Sequence, residues 1–167
     1  MGIGTLISVE EYLSTSYDPD VEYVDGVLVE RNVGDPQHSN TQSNVIFALR
    51  SRYPNVKVYP ELRSRVTPTR YRLPDVCVAL QPARSKKALV EAAFLAIEIL
   101  SEEDRMTRVI ERLKEFAANG TKYIWVFDPR LRQMFTFDGH VLREVEGDII
   151  ATDDPRLELS RAEVFQE

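Results

Sequence analysis

Two carboxylates stand where a charge is costly. Glu98 lies inside the run FLAIEIL, between Ile97 and Ile99, and an ionised side chain buried there costs several kcal/mol unless it is paired or metal-bound. Asp75 opens the similar run PDVCVAL. Side chains alternate along a strand. Glu98 therefore shares a face with Ala96, while Leu95, Ile97 and Ile99 take the other. Asp75 likewise shares a face with Cys77 and Ala79, opposite Val76, Val78 and Leu80. If the two strands are neighbours, the carboxylates converge. Hard oxygen ligands of this kind suit Mg²⁺, which takes one or two protein carboxylates and keeps several waters. A cation so held polarises a phosphodiester and activates a water for attack. The competing reading pairs Glu98 with an arginine and leaves Asp75 as the cap of a Pro-Asp turn, because structural ion pairs also compensate buried carboxylates.

These residues need strands and helices to position them, and the sequence marks most of both. Ser8 with Glu11 three residues on predicts a capped first helix. EYVDGVLVE reads as a hairpin turning at Asp-Gly. Asp35-Pro36 opens a second helix that ends before Tyr53-Pro54, with Val45, Ile46 and Leu49 at helical spacing. From Val56 to Leu80 the chain reads as extended: VKVYPELRSRV, a turn at TPTRYR, then PDVCVAL. QPARSKKALVEAA reads as a surface connection. After the Glu98 strand, a helix is predicted from about Glu103 to Asn119, with Met106, Val109, Ile110, Leu113, Phe116 and Ala117 as its apolar stripe and Gly120 as its stop. YIWVFDP is another buried strand, with Trp125 and Phe127 in the core and a turn at Asp128-Pro129. QMFTFDG and HVLREVE form a second hairpin, and LSRAEVFQE a terminal helix. The strand, helix, strand unit from Phe94 to Phe127 fits a parallel crossover. The expected class is mixed α/β (α+β), one domain over residues 1–167, with a mixed central sheet flanked by helices.

At 167 residues the chain has the size of one self-sufficient core. No apolar run is long enough to span a bilayer. The N-terminus MGIGTLISVEEYL lacks the basic and apolar regions of a signal peptide, and Cys77 is the lone cysteine, so a cytoplasmic setting is expected. Gly2 is not read as a lipidation site, because Leu6 occupies the position where that signal needs Ser or Thr. The net charge of -6 argues against non-specific coating of nucleic acid. It leaves a nuclease open, since an acidic site recruits its own cation.

YRLPDVCVAL, FLAIEILS and a helix leading to KYIWVFDP, together with EYVDGVLVE and DPQHSNTQ, resemble the bacterial Uma-type restriction endonuclease family of the PD-(D/E)XK nuclease superfamily, over nearly the whole chain. The resemblance implies a restriction-endonuclease-like fold and an Mg²⁺- or Mn²⁺-dependent endonuclease acting on DNA. It maps Asp75 to the motif's Asp and Glu98 to its acidic position, with the backbone carbonyl of Ile99 as a third ligand. Leu100 stands where the motif has lysine. In this family the lysine has moved to a stretch of the following helix similar to ERLKEF, which puts Arg112 at its position. Arginine stabilises phosphate charge but cannot relay a proton. Lys114 flanks the stripe on the other side. Glu22 matches an acidic position and is an outer-ligand candidate, the alternative being an exposed hairpin residue. By analogy with nucleases that cut both strands, a two-fold homodimer is expected. The alternative function is a catalytically silent nuclease-fold protein that binds DNA or a protein partner.

Weaker signals surround these. Arg63 and Arg65, and Arg70 and Arg72, could meet phosphates or form a solvated strand face. His38, near a helix start, is expected to cap or pack rather than to ligate.

Overall fold

The structure, a computed structural model, describes residues 5–167. Gly2 lies outside the described residues. The chain opens with helix α1 (Val9–Ser14), whose predicted cap forms: Ser8 Oγ accepts from the Glu11 amide at 3.1 Å. The Asp-Gly hairpin follows as β1 (Glu22–Val24) and β2 (Val27–Val29). Asp25 and Gly26 both adopt positive φ, 50° and 92°, the pair of conformations that a tight two-residue hairpin requires and that glycine takes without strain. Helix α2 (Pro36–Arg52) starts where Asp35-Pro36 predicts, with Asp35 Oδ1 accepting from the His38 amide at 2.8 Å and Pro36 in the first turn, where its missing N–H is harmless.

The extended stretch that follows departs from the sequence reading. It divides into β3 (Lys57–Pro60), β4 (Ser64–Thr67), β5 (Arg70–Arg72) and β6 (Val76–Ala79). VKVYPELRSRV breaks at Glu61, which has φ 47°, so its halves enter different sheets. Arg70–Arg72, read as part of a turn, is a strand. The connection after β6 is not wholly at the surface either: Leu89 is buried and bridges to Ser64. Then come β7 (Leu95–Ile99), α3 (Met106–Ala118), β8 (Tyr123–Asp128) and the hairpin β9 (Gln133–Phe137) and β10 (Leu142–Glu144). Helix α3 begins at Met106 rather than near Glu103, because Ser101 to Asp104 close a turn of their own; Met106 is exposed. The chain ends in β11 (Ile149–Ala151), β12 (Glu158–Ser160) and the single-turn helix α4 (Arg161–Val164).

The strands form three sheets among the described residues, not one. Six are ordered β10-β9-β8-β7-β6-β3, four are ordered β2-β1-β5-β4, and β11 pairs with β12. All pairings in the six-stranded sheet are antiparallel except β7 with β8, which is parallel across the α3 crossover. Its two faces are covered differently. On one, Val76, Val78, Leu95, Ile97, Trp125 and Phe127 pack against Val45, Ala48 and Leu49 of α2. On the other, Ala96, Ile124 and Val126 meet Val109, Leu113 and Phe116 of α3. Each of those three helix side chains contributes about 1.5–3 kcal/mol by leaving water. Packing fixes α3 over the sheet and therefore fixes whatever polar groups ride on its flank. No helix among the described residues is long and apolar enough to cross a membrane.

A candidate acidic centre beneath helix α3

Strand pairing brings the two carboxylates together. β6 and β7 run antiparallel with Val76 opposite Ile97 and Cys77 opposite Ala96; one residue further along the same register, Asp75 faces Glu98. Both are almost wholly buried, at 2% and 6% exposure. Asp75 Oδ2 accepts from the Ile99 amide at 2.7 Å, so the carboxylate also closes the end of the ladder. Asp75, Glu98, Ile99, Ser101 and Arg112 border a polar cavity of about 30 Å³, room for a water or a small ion.

Each carboxylate is compensated differently. Asp75 Oδ1 meets Arg31 Nη2 at 2.9 Å and His38 Nε2 at 3.1 Å. Burial opposes its ionisation, but the His38 hydrogen bond and charge, Arg31 and the Ile99 amide outweigh burial and hold its pKa below the ordinary value. His38 answers in kind. Burial disfavours the imidazolium, yet the hydrogen bond and charge of Asp75 leave its pKa raised. Glu98 is less well served. It meets one nitrogen, Arg112 Nη2, at 3.1 Å through Oε1 and 2.9 Å through Oε2. That nitrogen also lies 3.3 Å from Glu22 Oε1 and 3.3 Å from the Leu73 carbonyl. Burial, with the Asp75 and Glu22 charges behind it, pushes the Glu98 pKa up to about 8 against the pull of Arg112 and Arg31.

Behind Glu98 runs a chain of ion pairs. Glu22, at 2% exposure, accepts from the Leu73 amide at 3.0 Å and from Arg72 Nη1 at 2.9 Å. Glu115, one turn beyond Arg112 on α3, grips Arg72 at 2.6 and 3.1 Å. The chain Arg112, Glu22, Arg72, Glu115 thus ties the four-stranded sheet to α3 at both of its ends.

The residues singled out in the sequence fall into place unevenly. Asp75, Glu98, Ile99 and Arg112 border one cavity, and Glu22 joins them through Arg112 as a buried residue rather than an exposed hairpin one. Lys114 is exposed. Arg63, Arg70 and Arg72 are not a phosphate-binding face: Arg63 pairs with Asp20 and lies over Tyr12, Arg70 pairs with Asp25 and Glu115, and Arg72 pairs with Glu22 and Glu115. His38, expected to cap or pack, reaches Asp75. Sequence reasoning missed Arg31 on the loop after β2, and Gln42, whose Nε2 donates to the Asp75 carbonyl at 2.8 Å. The stretch DPQHSNTQ, which carries part of the family resemblance, was the one signal for His38 and Gln42.

The donor set fits a hard divalent cation. Asp75 and Glu98 supply carboxylate oxygens and Ile99 backbone; the Ser101 hydroxyl, buried and without a partner among the described residues, borders the same cavity. No group of three or more His, Cys, Asp or Glu that could hold an ion by themselves occurs among the described residues, and Mg²⁺ does not require one, because waters complete its shell.

Comparison with known proteins supplies the remaining findings. The Uma2 family model, described as "Putative restriction endonuclease", matches residues 9–163. The chain is similar to a crystal structure of "a putative nuclease belonging to DUF820" from Anabaena variabilis, with a TM-score of 0.77 and 22% identity over 95% of this chain and 97% of that one. At that identity the likeness shows a common fold. No curated protein matched the chain.

Proposed function

Because this chain belongs to the Uma2 family, we propose that it is a divalent-metal-dependent DNA endonuclease whose site is built on Asp75 and Glu98. The observation that carries the reading is the apposition of those two buried carboxylates on neighbouring strands, one of them short of positive charge. Asp75 and Glu98 would hold the cation, with the Ile99 carbonyl as the third protein ligand. When bound, Mg²⁺ or Mn²⁺ supplies Lewis-acid polarisation of the phosphodiester and lowers the pKa of the attacking water.

The other residues have roles that follow from their contacts. His38 and Arg31 keep Asp75 ionised. Arg112, anchored through Glu22, neutralises charge on the scissile phosphate and fixes its orientation. Glu22 therefore acts through Arg112, as a positioning residue. Arg112 holds its proton throughout, so proton removal from the attacking water falls to a carboxylate or to solvent. A two-fold homodimer would bring two such sites to the two strands of a duplex; sedimentation in solution tests that part.

The test is incubation of the purified protein with supercoiled and single-stranded DNA in Mg²⁺ or Mn²⁺, against an EDTA control. Nicked or shortened DNA that EDTA suppresses is the expected result. One observation favours a second reading, a silent nuclease-fold protein that binds DNA or a protein partner: the Glu98–Arg112 pair at 2.9 Å occupies the carboxylate that a cation would need. DNA binding without cleavage under every metal condition would decide for that reading.

A further inference from the structure

Two arginines beside the centre take no part in its ion pairs. Arg105 stands at the N-cap position of α3 and Arg108 lies in its first turn; both are exposed, and neither forms an ion pair among the described residues. The natural partner of Arg108 is Glu111, three residues on, but Glu111 turns to Arg70 at 3.6 Å and Arg72 at 3.9 Å. The placement works against the helix. A helix N-terminus carries partial positive charge and favours Asp or Glu in its first turn, whereas α3 has no acidic residue there and no side-chain cap. Local rules broken in this way are most often broken at functional sites.

Arg105, Arg108 and Arg112 are spaced so that they share one face of α3, over an axial length of about 10 Å at 1.5 Å per residue. All three border a single cleft of about 470 Å³. That cleft continues into the narrow cavity between Asp75 and Glu98, with Arg31, Asn32, Asp104 and Arg112 common to both. The buried, unpartnered Ser101 hydroxyl lies in the narrow part. The row therefore runs from free guanidiniums at the mouth to a paired one at the acidic end.

We infer that Arg105, Arg108 and Arg112 form a ladder for the sugar–phosphate backbone of one DNA strand. Arg112 meets the reacting phosphate, and Arg108 and Arg105 hold the phosphates next to it. A length of about 10 Å spans roughly three nucleotides at 3.4 Å per nucleotide along a duplex axis. The same cleft is also lined by Glu22, Glu30, Glu103, Asp104 and Glu111, so its lining is balanced in charge overall and the attraction for a phosphate is local to the unpaired guanidiniums of Arg105 and Arg108. The inference rests on the nuclease reading of the Asp75–Glu98 centre and names how its substrate is held.

Anisotropy of a labelled duplex, titrated with protein across a salt series in EDTA and again in Ca²⁺, tests the ladder. Replacing Arg105 and Arg108 together by Gln should flatten the slope of log K against log salt by about 2, and weaken binding on the order of 100-fold near 50 mM salt. Lys86→Gln with Lys87→Gln removes the same charge from an exposed loop elsewhere and should leave both quantities near wild type. In the cleavage assay the arginine pair should raise KM. Equal effects of the two pairs, no effect of the arginine pair, or no DNA binding by the wild type would each overturn the ladder. If the wild type cleaves while the arginine pair binds normally, the ladder falls and the nuclease stands. If DNA binds through Arg105 and Arg108 but is never cut, the ladder stands and the nuclease reading falls.

Discussion

Replacing Glu98 by Gln keeps the shape of the side chain and removes its ionisation, and the consequence for stability can be worked out in sign and size. In the folded protein the Glu98 pKa is raised from 4.5 to about 8, chiefly by burial. Between those values an unfolded chain has released this proton while the folded chain retains it. The unfolded state binds fewer protons, so the stability of the metal-free protein falls as pH rises through that window. The slope approaches about 1.4 kcal/mol per pH unit, which gives a ceiling of roughly 3 kcal/mol lost between about pH 5 and 7.5. The Glu98→Gln variant lacks this term. Its stability relative to wild type should climb with pH by up to that amount, while His38 and Asp75 titrate in both proteins and largely cancel. Urea unfolding of both proteins in EDTA at several pH values reads the difference directly. With Mg²⁺ present the variant's relative gain at high pH should be largely cancelled, because the ion replaces the proton on Glu98; at an ion concentration about 100 times its Kd, wild type gains roughly 2.7 kcal/mol and the variant gains nothing. Parallel pH profiles in EDTA would refute the charge accounting of the centre. A Mg²⁺-dependent gain that survives in the variant would place the ion elsewhere.

Other changes probe the remaining parts. Arg112→Lys should raise DNA cleavage above wild type in single-turnover assays at fixed Mg²⁺, because a compact amine can shift its pKa and handle a proton, whereas the exposed Lys114 changed to Ala should leave cleavage nearly as it was; the opposite pattern would make Lys114 the catalytic lysine. NMR titration of the His38 ring should give a midpoint above 6.5, the value from which Asp75 raises it, and Asp75→Asn should bring the midpoint down; an identical midpoint in both proteins would break the His38–Asp75 link. Leu113→Ala should cost about 2–5 kcal/mol in urea unfolding, since Leu113 is fully buried between α3 and the sheet, and a loss much below that range would mean that α3 is not clamped as described.

The centre was partly legible in the sequence, for a physical reason. Glu98 and Asp75 stand out because strand alternation gives each carboxylate small neighbours on its own face and aliphatics on the other, and α3 follows from its apolar stripe. Arg112 and Glu22 could be placed through resemblance. Arg31, Gln42 and the side chain of His38 could not be placed from spacing, because they reach Asp75 from a loop and a helix start far away in sequence, and polar residues there carry no periodic signature. The division into three sheets was hidden too. It turns on the left-handed backbone at Glu61, a residue type that gives no warning of that conformation, and on short edge pairs such as β11 with β12. The start of α3 was misread because Glu103 and Asp104 look like a first turn, whereas Asp104 caps the Ser101 amide.

The chain of ion pairs that joins Arg112 to Glu22, Arg72 and Glu115 also has a consequence for biosynthesis. Its members, with Asp75 and Glu98, are scattered from the first hairpin to the far end of α3, so a growing polypeptide that has just delivered the PD strand still lacks half of the centre. Synthesis proceeds at about 5–20 residues per second, and the ribosome therefore carries an incomplete acidic centre until α3 has emerged and docked. A stalled or prematurely terminated product ending before Arg112 has no route to the assembled cluster, whatever nucleic acid lies nearby.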